Sequence, residues 1–196
     1  MELRSGEVGL RPLAVSDAKA WRSVRSRNLD WLKPWEATVP VGDRSAPRTF
    51  RGLVRDLREQ ARQGRALPFA VTVNNVFVGQ LTVSNLVGGS ARWGQVGYWI
   101  DADYAGRGVI PTGVAMAVDY CLFTMDLHRV EVAIRPENEA SLRVVQKLGF
   151  TEVGYAPKYL HIDGAWRDHR LFAITVEECP GGLLKRWKRS SGNENG

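Results

Sequence analysis

Apolar and polar residues alternate over Val8–Leu13, the rhythm of a strand with one buried face, and Pro12 and Ala14 end it. The period then lengthens. Ala18, Trp21 and Val24 share one stripe of a helix predicted from Asp17 to about Arg27, with Ser16 as its N-cap. The stretch Asn28-Leu29-Asp30-Trp31-Leu32-Lys33-Pro34-Trp35-Glu36 is aromatic and broken by proline. Its Trp31 and Trp35 fit either a core plug or the wall of a substrate cleft, because an indole offers large contact area in both roles. Phe50, Leu53, Val54 and Leu57 predict a second amphipathic helix from Pro47 to Gln63, closed by Gly64. Alternation returns at Phe69–Val73 and Val76–Leu86, a hairpin about Asn74-Asn75, and resumes after Gly88-Gly89 over Ala91–Ile100.

The second half reads strand, loop, helix, strand, helix, then two strands. Gly97–Asp101 is apolar and β-favouring, Pro111 suits a first helical position, and a helix is predicted over Thr112–Met125. Arg129–Arg135 puts Val130, Val132 and Ile134 on one face. Asn138 caps a predicted helix that runs to Leu148 and stops at Gly149. Two strands, about Val153–Ile162 and Trp166–Val176, turn at Asp163-Gly164. This succession predicts an α+β (mixed α/β) fold, one sheet with helices packed on it.

Between the strand at Gly97 and the helix at Pro111 lies Gly106-Arg107-Gly108, where bare backbone can approach a ligand closely. N–H groups placed just before a helix N-terminus make an anion site, although the same tripeptide also serves as a plain turn. The spacing is not a dinucleotide fingerprint, and the Lys-Ser/Thr pair of a P-loop is missing, so the phosphate ligand it suits is neither NAD nor ATP.

Length and composition narrow this further. With 196 residues, 44% of them hydrophobic, the chain suffices for one packed domain, expected over residues 1–180, with residues 181–196 as a basic, flexible tail. Of the net charge of +6, residues 183–196 carry half (Lys185, Arg186, Lys188 and Arg189 against Glu194), leaving a mildly basic body suited to a polyanionic ligand. Cys121 and Cys179 lie far apart without metal-ligand spacing, and Cys121 reads as core filler. No segment resembles a signal peptide or a membrane span, so the expectation is a reduced, cytoplasmic protein without metal.

Taken together, the motifs resemble the GNAT acyltransferases, and within them the RimJ/RimL branch of N-terminal protein acetyltransferases, nearest the RimJ type. The matching pieces are Leu32-Lys33-Pro34-Trp35-Glu36, Gly97-Tyr98-Trp99, Gly106-Arg107-Gly108 and Leu127-His128-Arg129. They continue with Pro136–Ser141, Lys147-Leu148-Gly149-Phe150 and Tyr159–His169. The resemblance implies a sheet of about seven strands in which acetyl-CoA lies between two splayed parallel strands, here Val96–Ile100 and Arg129–Arg135. It implies pyrophosphate binding by the backbone of Ala105, Gly106, Arg107, Gly108, Val109 and Ile110, with Thr112 near the helix start. It also implies cofactor contacts from Tyr98, Trp99, Ile100, Asn138 and Ser141. The chain departs from the family pattern at Ala105, usually Gln or Arg; at Ile110, usually Gly or Ala; and at Val145, where many members carry a general-acid tyrosine. The first two changes leave backbone binding intact and remove one side-chain contact.

The implied reaction is direct attack of an amine on a thioester. Ser141 is the candidate donor to the leaving thiolate, although a first-turn serine has a structural explanation too. Asn138 is a helix cap that can also touch the pantetheine or an ordered water. Trp31, Trp35 and Tyr159 are the candidate cleft residues, with Tyr104 and Tyr155 as further wall candidates. No carboxylate base is evident, since Gln95 stands where relatives often have Glu. An α-amine of pKa about 8 costs roughly 1.4 kcal/mol to deprotonate at pH 7, against roughly 4.6 for a lysine at about 10.4, so a site without a strong base favours a protein N-terminus. His128, His161 and His169 are scattered and read as structural, and Arg167 with Asp168 as a structural ion pair.

The expected acceptor is therefore a protein N-terminus, with a ribosomal protein as a candidate. No membrane partner is expected, nor nucleic acid beyond ribosome contact by the tail, and the chain is expected as monomer or homodimer. Two other functions fit the same residues: a GNAT acetylating a small amine such as an antibiotic or polyamine, and a non-catalytic ribosome- or RNA-associated protein on this fold.

Overall fold

A computed structural model describes residues 1–43 and 49–193. In chain order the strands and helices are β1 (Leu3–Ser5), β2 (Val8–Pro12), α1 (Ala18–Arg27), α2 (Leu29–Leu32), α3 (Phe50–Arg62), β3 (Leu67–Val73), β4 (Val76–Val87) and β5 (Trp93–Ile100). They continue with α4 (Val109–Asp119), β6 (Arg129–Ile134), α5 (Glu139–Leu148), β7 (Thr151–Ile162), β8 (Ala165–Thr175) and α6 (Leu183–Asn193). Among the described residues one sheet of eight strands runs in the order β1-β2-β3-β4-β5-β6-β8-β7. The count exceeds the expected seven because β1 pairs with β2, and a three-residue strand is too short to show a period.

Period-two alternation divides the sheet into two buried faces. Along β3, Phe69 and Val71 enter the larger core with α4 and α5, while Ala70 enters the smaller one with Val24 of α1 and Val54 of α3. The helix α4 is buried nearly all round, which suits its apolar sequence. It begins at Val109, not at Pro111. Proline then occupies the third helical position, where the missing N–H has no partner to lose. After Asp119 the chain widens into one π-helical turn, Tyr120–Thr124, which buries Cys121. The second amphipathic helix starts at Phe50 behind a Thr49 cap, and the expected start at Pro47 lies outside the described residues. Ser16 does not cap α1. Instead the buried Asp17 carboxylate accepts the Ala14 N–H at 2.8 Å and pairs with Arg11.

Over its described residues, 181–193, the tail is not the flexible appendage its charge suggested. Leu183 and Trp187, one turn apart, are buried against the main core. Asp119 at the end of α4 accepts the N–H groups of Leu183 at 2.6 Å and Leu184 at 3.0 Å, placing a carboxylate on the positive end of α6. Arg186 donates to the Leu148 carbonyl at the end of α5 and to the Glu178 carbonyl at 2.9 Å. One of the tail's four cations is thus a helix cap.

Candidate active site

The parallel pair β5 and β6 holds register only at Trp93↔Arg129, Gly94↔Val130 and Gln95↔Glu131. Beyond Gln95, β5 continues with β4 to Gly79↔Ile100 and β6 with β8 to Ile134↔Arg170. Each strand follows its outer neighbour, so the two part and leave an open cleft of about 1830 Å³ between Val96–Ile100 and Val132–Arg135. The Trp31 indole N–H donates to the Ile100 carbonyl at 3.0 Å. Ile100, and by alternation Tyr98, therefore turn their backbone polar groups away from β4 and into this gap.

One end of the cleft is the loop ahead of α4. Gly106 and Gly108 both have φ of +76°. Gly108 sits directly before the helix in the left-handed region, where any side chain strains the backbone. Among the described residues the N–H groups of Gly106, Arg107 and Gly108 have no hydrogen-bond acceptor, and Val109 and Ile110 add the free N–H groups of a first helical turn. The side chains of Val109 and Ile110 are buried in the core, so only their backbone faces the cleft. Arg107 lies 5.5 Å over the Tyr104 ring, Ala105 lines the same wall, and Thr112 accepts the Trp187 indole N–H at 2.9 Å. Trp187, Lys188 and Ser191 of α6 line this end, a contribution the reading of the tail as flexible concealed.

Across the cleft stands the first turn of α5. Asn138 caps it by accepting the Ser141 N–H at 3.1 Å, and both residues line the cleft. The Tyr98 hydroxyl is buried without a hydrogen-bond partner; the Ser141 hydroxyl stands beside it, outside hydrogen-bonding geometry. Burial pushes the Tyr98 phenol far above its usual range, outweighing the opposing influence of Ser141, so it stays protonated. Val145, by contrast, is fully buried in the core and does not face the cleft.

The opposite end is aromatic. Trp21, Trp31, Trp35, Trp99 and Phe50 line it. Arg25 sits 4.8 Å over Trp21 and 5.5 Å over Trp99 while pairing with Glu36, and Arg135 sits 5.3 Å over Trp35 while donating to the Pro34 carbonyl at 2.7 Å. The segment carrying Trp35 is fixed on its far side too: Thr38 N–H donates to the His161 carbonyl and Asp163 N–H to the Glu36 carbonyl. Asp101, almost fully buried, is held by Arg27 and by Asn28 at 2.8 Å, which docks α1 and α2 on the end of β5 and aims Trp31. Burial alone raises the Asp101 carboxyl, but these donors and the Asp103 N–H outweigh it and hold it below its ordinary value.

Three expectations are corrected here. Tyr159 is 40% exposed on β7 and does not line the cleft; it lies edge-on to His169 at 5.9 Å between centroids. Tyr155 is also outside, its hydroxyl bound to Asp168. Arg167 and Asp168 form no ion pair: Arg167 donates to the Ile162 carbonyl, and Asp168 accepts from Tyr155 and from the Lys158 N–H. Alternation along β8 sends the two neighbours to opposite faces. His169 does line the cleft, and the spacing of histidines along the chain gave no hint of it. Among the described residues no group of three or more His, Cys, Asp or Glu gathers to hold a metal ion, and no helix is long and apolar enough to cross a membrane.

Comparison with known proteins places this geometry. A solved structure of Mycobacterium smegmatis RimJ in complex with CoA-disulfide superposes with a TM-score of 0.88 at 40% identity, covering 95% of this chain and 90% of that one. The ribosomal-protein-S5-alanine acetyltransferase of Vibrio fischeri superposes at 0.77 with 31% identity, covering 92% of this chain and all of that one. The [ribosomal protein uS5]-alanine N-acetyltransferase of Escherichia coli is 34% identical over 174 residues, 86% of this chain and 88% of that protein. The sequence profile of the Acetyltransferase (GNAT) domain matches residues 7–151, and the chain belongs to this family of acetyltransferases.

Proposed function

We propose that this protein is an acetyl-CoA-dependent N-acetyltransferase that acylates the N-terminal α-amine of a protein, of the ribosomal-protein-alanine type. The observation that carries this reading is the parting of β5 and β6 beyond Gln95↔Glu131 with an unpaired N–H cradle at one end of the gap. The relatives strengthen it, since one was solved with a CoA disulfide and two are named for alanine acetylation of a ribosomal protein.

Acetyl-CoA, when bound, supplies an acyl group on a thioester whose thiolate departs. The backbone of Ala105–Ile110, with Thr112 at the helix start, holds the pyrophosphate, and Arg107 and Lys188 add positive charge at that end. The cleft-facing backbone of Tyr98 and Ile100, with Trp99 packed behind, holds the acyl carbonyl where negative charge develops. Ser141 donates a proton to the thiolate, and Asn138 fixes the turn that carries Ser141. Trp31 and Trp35 wall the acceptor end. That end carries Arg22, Arg25 and Arg135, and the carboxylates of Glu36 and Glu137 are already paired to arginines, an electrostatic balance that disfavours a polycationic small amine.

The test is thiol release from acetyl-CoA with peptides beginning in alanine or serine, each free or N-terminally blocked. Turnover confined to free N-termini, and reduced in Asn138→Ala and Ser141→Ala, supports the reading. Turnover on small amines but on no peptide refutes it.

A further inference from the structure

The mechanism above lacks a group to take the proton from the attacking amine, and the carboxylates beside the cleft tryptophans and the end of β6, Glu36 and Glu137, are each paired to an arginine. We propose that His169 is that group, a general base acting through Nε2; this rests on the acetyltransferase reading above. Register brings His169 to the right place. With Ile134 opposite Arg170, residue 169 falls level with Arg135, where β6 ends and the gap between the strands is open. The residue is 3% exposed and lines the cleft.

The ring orientation is set by its partners. Nδ1 lies 3.0 Å from the Arg167 carbonyl, which can only accept, so Nδ1 carries the hydrogen. That leaves the lone pair on Nε2, which has no protein partner among the described residues and is not shut off from the cleft. The Tyr159 ring, edge-on, closes one side of the imidazole. Tyr159 thus serves the site from behind the histidine, not from the cleft wall.

The charge state agrees with the geometry. Burial lowers the His169 pKa most, and the Arg135 charge lowers it further; the Arg167 carbonyl, Asp168 and Glu137 oppose without cancelling. The imidazole is therefore neutral at pH 7 and ready to accept. Chemically, the neutral fraction of the α-amine attacks, the N–C bond forms, and one N–H proton passes to Nε2. As the C–S bond breaks, the thiolate takes the Ser141 hydroxyl proton. His169 then returns its proton through the cleft, and Ser141 is reprotonated, so the products are amide and thiol with nothing else consumed.

The experiment separates this role from a structural one. In His169→Asn the side-chain amide can still donate to the Arg167 carbonyl, while nothing replaces the Nε2 lone pair. Expected are a fall in kcat of about a hundredfold or more, as loss of a general base gives, and an acetyl-CoA Kd by calorimetry within twofold of the parent. In the ligand-free parent, nitrogen-detected NMR of the ring is expected to show the Nδ1–H tautomer, neutral at pH 7. A variant that keeps kcat within threefold, or a ring charged or protonated on Nε2 at pH 7, overturns the proposal while leaving the acetyltransferase reading intact. Absence of parent turnover on every free N-terminus overturns both.

Discussion

Replacing Trp187 by alanine tests whether α6 is part of the domain and of the site. The indole is 8% exposed, packs in the main core with Leu183, and donates to Thr112 one turn into α4. Truncating a buried tryptophan costs about 3–5 kcal/mol. Trp187→Phe keeps most of the apolar contact and loses the hydrogen bond, about 0.5–1.5 kcal/mol. For a domain of this size each kcal/mol moves the melting point by about 2–4 °C, so the alanine variant melts on the order of 10 °C lower. Urea unfolding followed by far-ultraviolet dichroism measures the free energies, and steady-state kinetics measures the consequence. Because Trp187 lines the phosphate end, and a Cβ at Gly108 would lie 3.4 Å from its ring, the KM for acetyl-CoA rises while that for the acceptor peptide holds. A destabilisation below about 0.5 kcal/mol, the usual result at an uninvolved surface site, would refute the assignment of α6 to the core.

Two further outcomes follow from buried polar groups. Tyr98→Phe removes a buried hydroxyl with no partner, so thermal melting shows stability unchanged or raised by about 1 kcal/mol; a clear loss of stability would contradict this. Asp101 and Asp17 both titrate below the ordinary carboxylate value in the folded state, so their stabilisation is complete above the unfolded-state pKa of about 3.9 and is lost as pH falls through the folded values. Asp101→Asn costs about 1–3 kcal/mol at pH 6 by leaving donors from Arg27, Asn28 and Asp103 imperfectly matched, and its urea midpoint falls less steeply than the parent's between pH 4 and 2.5.

What the sequence made legible is what local periodicity and turn chemistry dictate. The strands of the meander, the Asn138 cap and the glycine loop are each specified by residues within a few positions of one another. The expectation of an anion at that loop rests on the same local feature, bare N–H groups just before a helix. What stayed hidden depends on register and on partners distant in sequence. Nothing near His169 shows that it lies level with the end of β6, and nothing near Tyr159 shows that it turns outward. The tail looked free because its four cations are conspicuous, whereas its anchors, Asp119 and the carbonyls of Leu148 and Glu178, lie in other elements. The start of α4 lies two residues before Pro111, because the proline takes the third helical position and not the first.

The most direct measurement is the site of acylation on a single peptide that begins with alanine and carries one internal lysine. After incubation with acetyl-CoA, tandem mass spectrometry locates the acetyl group. The account predicts acetylation of the α-nitrogen alone, lost when that nitrogen is blocked. Acetyl on the lysine side chain, or transfer unaffected by blocking the N-terminus, would contradict it.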